Sequence, residues 1–174
     1  MVDPSALDAA LEALDYSHLK VGPEHIDANG HMNVGYYVVL FDKALDLPWA
    51  RLGIYSQQIL ADGKSSFALE SHLTYQRELR EGDPLWFSLL LLDYDAKRVH
   101  YFMRMFHARE RWLAATCEQL SICMDMTTRR STQWPAACLA NINALFEAHR
   151  SRPRPAEAGR TLGIRRAVPA SQPD

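Results

Sequence analysis

Between Val34 and Asp46 apolar residues crowd the chain, with Gly35 as the one breaker and Asp42, Lys43 and Asp46 as the main polar exceptions. A run this apolar and longer than a strand predicts a helix covered on most of its sides. Asn33 is placed to cap it. Pro48 cannot comfortably continue it but suits a first turn, so a short second helix is expected through about Leu52. Downstream the period changes to two: Phe67, Leu69, Leu73, Tyr75 and Leu79 share one face, while Ala68, Glu70, His72, Thr74, Gln76 and Glu78 share the other. That alternation predicts a strand with one wetter face. Glu81-Gly82-Asp83-Pro84 reads as a turn and Leu85 to Leu92 as a buried strand. Reversals at Asp93 to Lys97 and at Arg109-Glu110-Arg111 lead into strands at Val99 to Ala108 and Trp112 to Met124. Short reversals make successive strands neighbours, and curling such a meander round the helix buries both. The expected fold class is therefore α+β, a long central helix wrapped by a curved antiparallel β-sheet.

The flanks are simpler. Residues 5–14 read as a lead-in helix and Tyr16 to Val21 as a first strand delivering the chain to Pro23. Pro135 begins a last helix, with Leu139, Ile142 and Phe146 at helical spacing and His149 at the surface near its end. After Arg150 the sequence turns to Arg, Pro, Ala, Gly and Ser, which give little to pack. The organisation expected is a lead-in segment at 1–14, one domain at 15–149 and a disordered tail at 150–174, whose Arg160, Arg165 and Arg166 serve solubility.

Composition narrows the function. At 174 residues and 48% hydrophobic the chain builds one sizeable core. Its 19 basic and 21 acidic side chains, formally −2, supply no global field to recruit nucleic acid. Cys117, Cys123 and Cys138 have neither zinc-site spacing nor a paired framework, so buried thiols in a reducing cytoplasm are expected and no metal. The acidic N-terminus has no long apolar run, and Leu89 to Leu92 is too short to cross a membrane as a helix.

Polar chemistry concentrates in Asp27-Ala28-Asn29-Gly30-His31-Met32-Asn33, directly ahead of the long helix. A helix start offers unpaired N–H groups to a developing oxyanion, and Asp27 sets a carboxylate beside it. The same residues also make an ordinary turn and N-cap. Glu70, His72 and Thr74 on one strand face, and Glu118 within an apolar strand, are weaker candidates.

The segment from Asp27 through Tyr37, followed by Phe41-Asp42-Lys43-Ala44, resembles the acyl-CoA thioesterases of the hotdog fold, in their 4-hydroxybenzoyl-CoA thioesterase-like branch. Leu73 to Asp83 resembles a second, mainly structural stretch of that family. Glu118, Asp125, Arg129-Arg130 and Trp134-Pro135 continue the likeness, which spans about residues 17–148. The resemblance implies a single hotdog domain pairing into dimers, with tetramers common and active sites at the dimer interface. Pairing also covers an exposed sheet edge.

By the same resemblance Asp27 is the catalytic aspartate, attacking the thioester carbon or activating water. Asn29 and His31 complete an Asp, Asn and His set similar to that of plant acyl-carrier-protein thioesterases. The hydroxybenzoyl-CoA enzymes lack this histidine, so their mechanism does not transfer intact. An ungapped match makes the backbone N–H of Tyr37 the oxyanion donor, and a shifted helix start moves that role to Asn33 or Val34. Tyr36 and Phe41 are expected along an apolar acyl pocket, and Arg129 and Arg130 at a rim holding the phosphates of CoA. The substrate expected is an acyl-CoA, with medium or longer acyl groups ahead of aromatic ones, or an acyl-carrier-protein thioester. No cofactor is required beyond the CoA of the substrate. Two alternatives remain: a hotdog hydratase acting on enoyl or hydroxyacyl thioesters, whose pattern Gly30 and Met32 fit poorly, and a non-catalytic acyl-thioester binding protein.

Overall fold

The computed structural model describes residues 2–55 and 57–164. After α1 (Pro4–Glu12), the long helix α2 runs from Val34 to Leu52 and is followed by the short α3 (Gln57–Ala61). Strands β1 (Lys64–Tyr75), β2 (Leu85–Tyr94), β3 (Arg98–His107), β4 (Leu113–Asp125) and β5 (Arg130–Ser131) precede α4 (Ala136–His149). The helix-then-sheet order expected of a hotdog fold is present, with an antiparallel sheet that stays open.

Its order is β1-β4-β3-β2, with β5 on β4. The meander therefore holds from β2 to β4, but β1 joins β4 rather than its neighbour in sequence. The connection after β1 accounts for this. Leu79 O accepts the Met32 N–H at 2.7 Å, Gly82 N–H donates to Val21 O at 2.8 Å, and Leu85 N–H donates to Leu19 O at 3.0 Å. These bonds carry the chain past the end of the sheet instead of closing a hairpin. They also use up the expected first strand at Tyr16 to Val21. It makes one bridge, Lys20 to Pro84, and proline has no N–H with which to extend a ladder.

Helix α2 is continuous, with Pro48 inside it rather than starting a second helix. Tyr37, Leu40, Phe41, Ala44, Leu45, Pro48, Trp49 and Leu52 form one buried stripe. Phe41 meets Phe87 and Trp49 meets Tyr101, at ring-centroid separations of 5.8 and 4.9 Å. The helix is half covered, not covered on most sides. Val34 and Val38 are 58% and 47% exposed, and Asp42, Lys43 and Asp46 also face outward. The proposed single face of β1 is likewise broken, because a bulge between Ala68 and Glu70 shifts the alternation and leaves Leu69 55% exposed.

His149 is a second correction to the surface pattern. It is 3% exposed, its Nδ1 accepts the Leu91 N–H at 2.9 Å and its Nε2 meets Asp8 at 2.9 Å, so it ties α4 to β2 and α1. Residues 150–164, expected as a tail with little to pack, run back along the domain. Arg152 pairs with Asp8 and Glu12, Pro155 is buried, and the Gly159 N–H donates to Glu118 Oε2 at 2.6 Å. Arg165 and Arg166 lie outside the described residues. Among the described residues no helix is long and apolar enough to cross a membrane.

Candidate active site

The loop before α2 is fastened at both ends. Ile26 and Met32 form a bridge, Asp27 N–H donates to His31 O at 3.1 Å and Gly30 N–H donates to Asp27 O at 3.0 Å. Gly30 has φ +79°, a conformation that glycine enters without a Cβ penalty. Met32 is buried beneath the loop, and the Asn33 N–H donates to His25 O at 2.9 Å. A short polar segment thus becomes a fixed platform at the mouth of a buried helix.

On that platform the Asp27 carboxylate is held from two directions. Oδ1 accepts the Asn29 N–H at 2.8 Å and Oδ2 lies 3.4 Å from Asn33 Nδ2. Asn33 also caps α2, its Oδ1 accepting the Gly35 N–H at 3.0 Å, while Tyr36 N–H donates to the Asn33 carbonyl at 3.0 Å. The first turn is then largely spent. Among the described residues Val34 N–H makes no such bond, which leaves it as a first-turn donor for a ligand. The Asn33 carbonyl takes the Tyr36 N–H, and the Tyr37 N–H one position on shows no bond to it, so Tyr37 stays a second candidate donor.

Other expected site residues divide clearly. His31 is half-buried, with Nδ1 3.3 Å from Met32 O, and lines a cavity of about 260 Å³ together with Met32, Val34, Tyr37, Tyr75, Gln76, Arg77 and Glu78. Asn29 is exposed and holds Asp27 through its backbone. Tyr37 contributes its ring: burial pushes the phenol pKa up, the Leu79 backbone hydrogen-bonds its hydroxyl, and Tyr75 meets it at 5.1 Å and 79°. Phe41 belongs to the core, and Tyr36 packs on His25 with ring centroids 4.7 Å apart. Neither lines this cavity.

Arg129 and Arg130 sit elsewhere. Tyr75 pairs with Ala115 at one end of the β1–β4 ladder and Lys64 with Asp125 at the other. At about 3.3 Å per residue the arginines therefore lie on the order of 30 Å along the strand from the Asp27 end. Arg129 rests over Phe67, 5.4 Å from its ring centroid.

A larger cavity, about 590 Å³, lies on the other side of the sheet and is lined by Glu70, His72, His100, Glu118 and residues 159–162. Its central carboxylate is already engaged. Glu118 meets His100 Nε2 at 2.8 Å, Arg154 at 3.7 Å and the Gly159 N–H. Among the described residues no helix start faces it in the way α2 faces the smaller cavity. The smaller one is the better active-site candidate on chemical grounds.

Sequence reading passed over the contribution of Tyr75, Gln76, Arg77 and Glu78 to this site. They belong to the Leu73 to Asp83 stretch, expected to be mainly structural, and nothing local signals that the chain around the end of β1 brings them against the helix mouth.

Comparison with known proteins identifies the family. The family described as the thioesterase-like superfamily matches residues 21–142. A betainyl-CoA thioesterase of Pseudomonas aeruginosa is 34% identical over 142 residues, covering 82% of this chain and 89% of the relative. An L-carnitine dehydrogenase/betainyl-CoA thioesterase of Rhizobium meliloti is 32% identical over 147 residues, covering 84% of this chain but only 29% of that longer protein. Among solved structures, a Staphylococcus aureus protein in complex with CoA has a TM-score of 0.78 at 28% identity, covering 84% of this chain and 92% of that one.

Proposed function

We propose, because the chain belongs to the thioesterase-like superfamily, that it hydrolyses an acyl-CoA thioester with Asp27 as the catalytic carboxylate. The observation that carries this reading is the Asp27 carboxylate tied to Asn33, the cap of α2, beside the unspent Val34 N–H. A thioester carbonyl set over that amide is polarised as negative charge develops on its oxygen, where the positive end of the helix adds to the stabilisation. Asp27 then either attacks the carbonyl carbon or takes a proton from a water that does so. In both routes the carbon–sulfur bond breaks and the thiolate leaves to be protonated to CoA. In the water-activating route water supplies the new oxygen of the acid. In the covalent route the acyl–Asp27 anhydride is opened by a water whose oxygen stays in the Asp27 carboxylate when it attacks that carboxyl carbon, the acid then leaving with an Asp27 oxygen. His31, on the cavity wall, orients that water or protonates the departing sulfur.

The acyl group follows from size and from the relatives. Tyr36 and Phe41 are committed to packing, which leaves a cavity of about 260 Å³ suited to a short acyl group rather than a long chain. Betainyl-CoA, the substrate in the names of the two curated relatives, is short and becomes the first ester to test. Binding alone would need no fixed carboxylate at the helix mouth, so hydrolysis is favoured over a carrier role.

The site is completed by a second copy. Val34 borders the cavity and Val38 follows it one turn along the exposed face of α2, while β1 presents an unpaired edge. A homodimer covers these features and brings the partner's sheet toward the cavity.

Release of free thiol from a panel of acyl-CoA esters tests the reading. Asp27→Asn keeps the loop's shape but removes the anion, and turnover should fall by about 100-fold or more with the fold intact by circular dichroism. Retained turnover in a folded variant excludes Asp27. A single turnover in oxygen-18 water that labels the Asp27 side chain would identify the covalent route.

A further inference from the structure

We infer that the cavity beside His31 is a cage for a quaternary ammonium group, built from the rings of Tyr37 and Tyr75 with Glu78 as the counter-charge. This rests on the thioesterase reading and names the part of the acyl group that the same site selects.

The two rings stand at 79° with centroids 5.1 Å apart, forming a corner rather than a stack. Tyr37 is the fixed wall, buried in α2 with its hydroxyl held by the Leu79 backbone. Tyr75, at the end of β1, is the half-exposed wall, and Met32 lies beneath both. A quaternary ammonium has no N–H to donate, so carbonyls and hydroxyls cannot recognise it by hydrogen bonding. It is recognised by aromatic faces, whose quadrupole attracts the spread positive charge, and by a nearby carboxylate.

Glu78 supplies that carboxylate on the cavity wall. It forms an exposed ion pair with Arg80 at 3.0 Å, which holds its pKa below the usual carboxylate value and keeps it ionised, and a cation in the cavity would share that carboxylate. The opposing cation on the wall, Arg77, is drawn onto Trp112, with its guanidinium carbon 4.3 Å from the ring centroid. His31 is a further titratable group at the cavity and, when charged, favours the ionised form of Glu78. It lies on the side of the Asp27 loop, where the thioester carbonyl belongs. Val34, Tyr37 and Tyr75 line the same cavity, so a short acyl group with its carbonyl at Val34 reaches the corner that the two rings form with the substituent on its α-carbon.

A neutral branched group of the same shape would fill the same volume, and that contrast provides the test. Steady-state kcat/KM is measured for trimethylammonioacetyl-CoA and for tert-butylacetyl-CoA, in which carbon replaces the charged nitrogen. The unmodified enzyme should prefer the cationic ester by about 100-fold, and Tyr75→Leu and Glu78→Gln should each reduce that ratio about 10-fold. Both replaced side chains are exposed enough for the fold to survive, which circular dichroism checks. Equal rates on the two esters, or a ratio unmoved in both variants, overturns the cage while leaving a thioesterase of other specificity. If no thioester in the panel is cleaved, the thioesterase reading falls and the cage is judged by binding of the same two esters. Tighter binding of the cation that is lost in Tyr75→Leu supports it, and equal binding overturns it.

Discussion

Asn33 does two jobs with one amide. Its oxygen caps α2 through the Gly35 N–H, and its nitrogen lies 3.4 Å from Asp27. Asn33→Ala should therefore lose about 1 kcal/mol of stability with the cap and lower kcat as well. Asn33→Asp separates the two jobs. It caps equally well but sets a second carboxylate beside Asp27, so Tm should hold while thiol release drops. His149 makes a prediction about pH. Its Nδ1 accepts the Leu91 N–H, so the neutral form carries its proton on Nε2, toward Asp8. Burial pushes its pKa below the ordinary 6.5, outweighing the opposing pull of Asp8. The unfolded chain then binds a proton more readily than the folded one. Stability is fully present above about pH 6.5 and is lost as pH falls from there through the folded pKa. Thermal melts across this range should show a decline that is blunted in His149→Gln.

At the scale of elements, α2 carries unlike faces. The stripe from Tyr37 to Leu52 is spent on the sheet, while Val34 and Val38 remain outside. Replacing Val38 by Lys should leave the helix in place, since no core contact is removed, but should shift a dimer toward monomer in sedimentation velocity. Activity should fall with the shift. The segment 150–164 behaves as a strap latched at Glu118, which accepts the Gly159 N–H and lies near Arg154. Glu118→Ala removes the anchor for both and also leaves His100 without its partner. Trypsin cleavage after Arg160, which unlike Arg152 and Arg154 is not followed by proline, should then accelerate several-fold, with the domain itself still resistant. Unchanged cleavage kinetics would show that the strap is held elsewhere.

For the whole molecule, the open sheet and the distribution of basic residues point the same way. β1 is an unpaired edge of 12 residues bearing the exposed Leu69 and Tyr75, a surface that stays soluble best when covered. Arg129 and Arg130 lie at the opposite end of the β1–β4 ladder from Asp27, too far along it to serve the same chain's catalytic loop directly. If they grip the phosphates of CoA, they do so for the partner's site. Mixing Asp27→Ala subunits with subunits carrying charge reversals at Arg129 and Arg130 tests this. Random exchange should restore roughly a quarter of wild-type sites, because each mixed dimer keeps one intact combination. Absence of complementation would return CoA binding to other residues.

Periodicity and capping were enough to locate α2, strands β2 to β4 and α4, because those elements are stabilised mainly by neighbours close in sequence or by a continuous apolar face. The Asp27 to Asn33 platform was legible for the same reason: turn formation and helix capping are local chemistry. The order of the strands was not, since β1 chose β4 over β2 through backbone bonds made by the connection to residues some fifty positions earlier, such as Met32 and Val21. The same connection delivered Tyr75 and Glu78 to the helix mouth and left Phe41 in the core. His149 could be read as a surface residue until Leu91 and Asp8 were seen to satisfy both ring nitrogens. Sequence fixes what a residue can do with its neighbours in the chain. Only the packed fold decides which distant groups satisfy its polar atoms, and so which side chains stay free to meet a substrate.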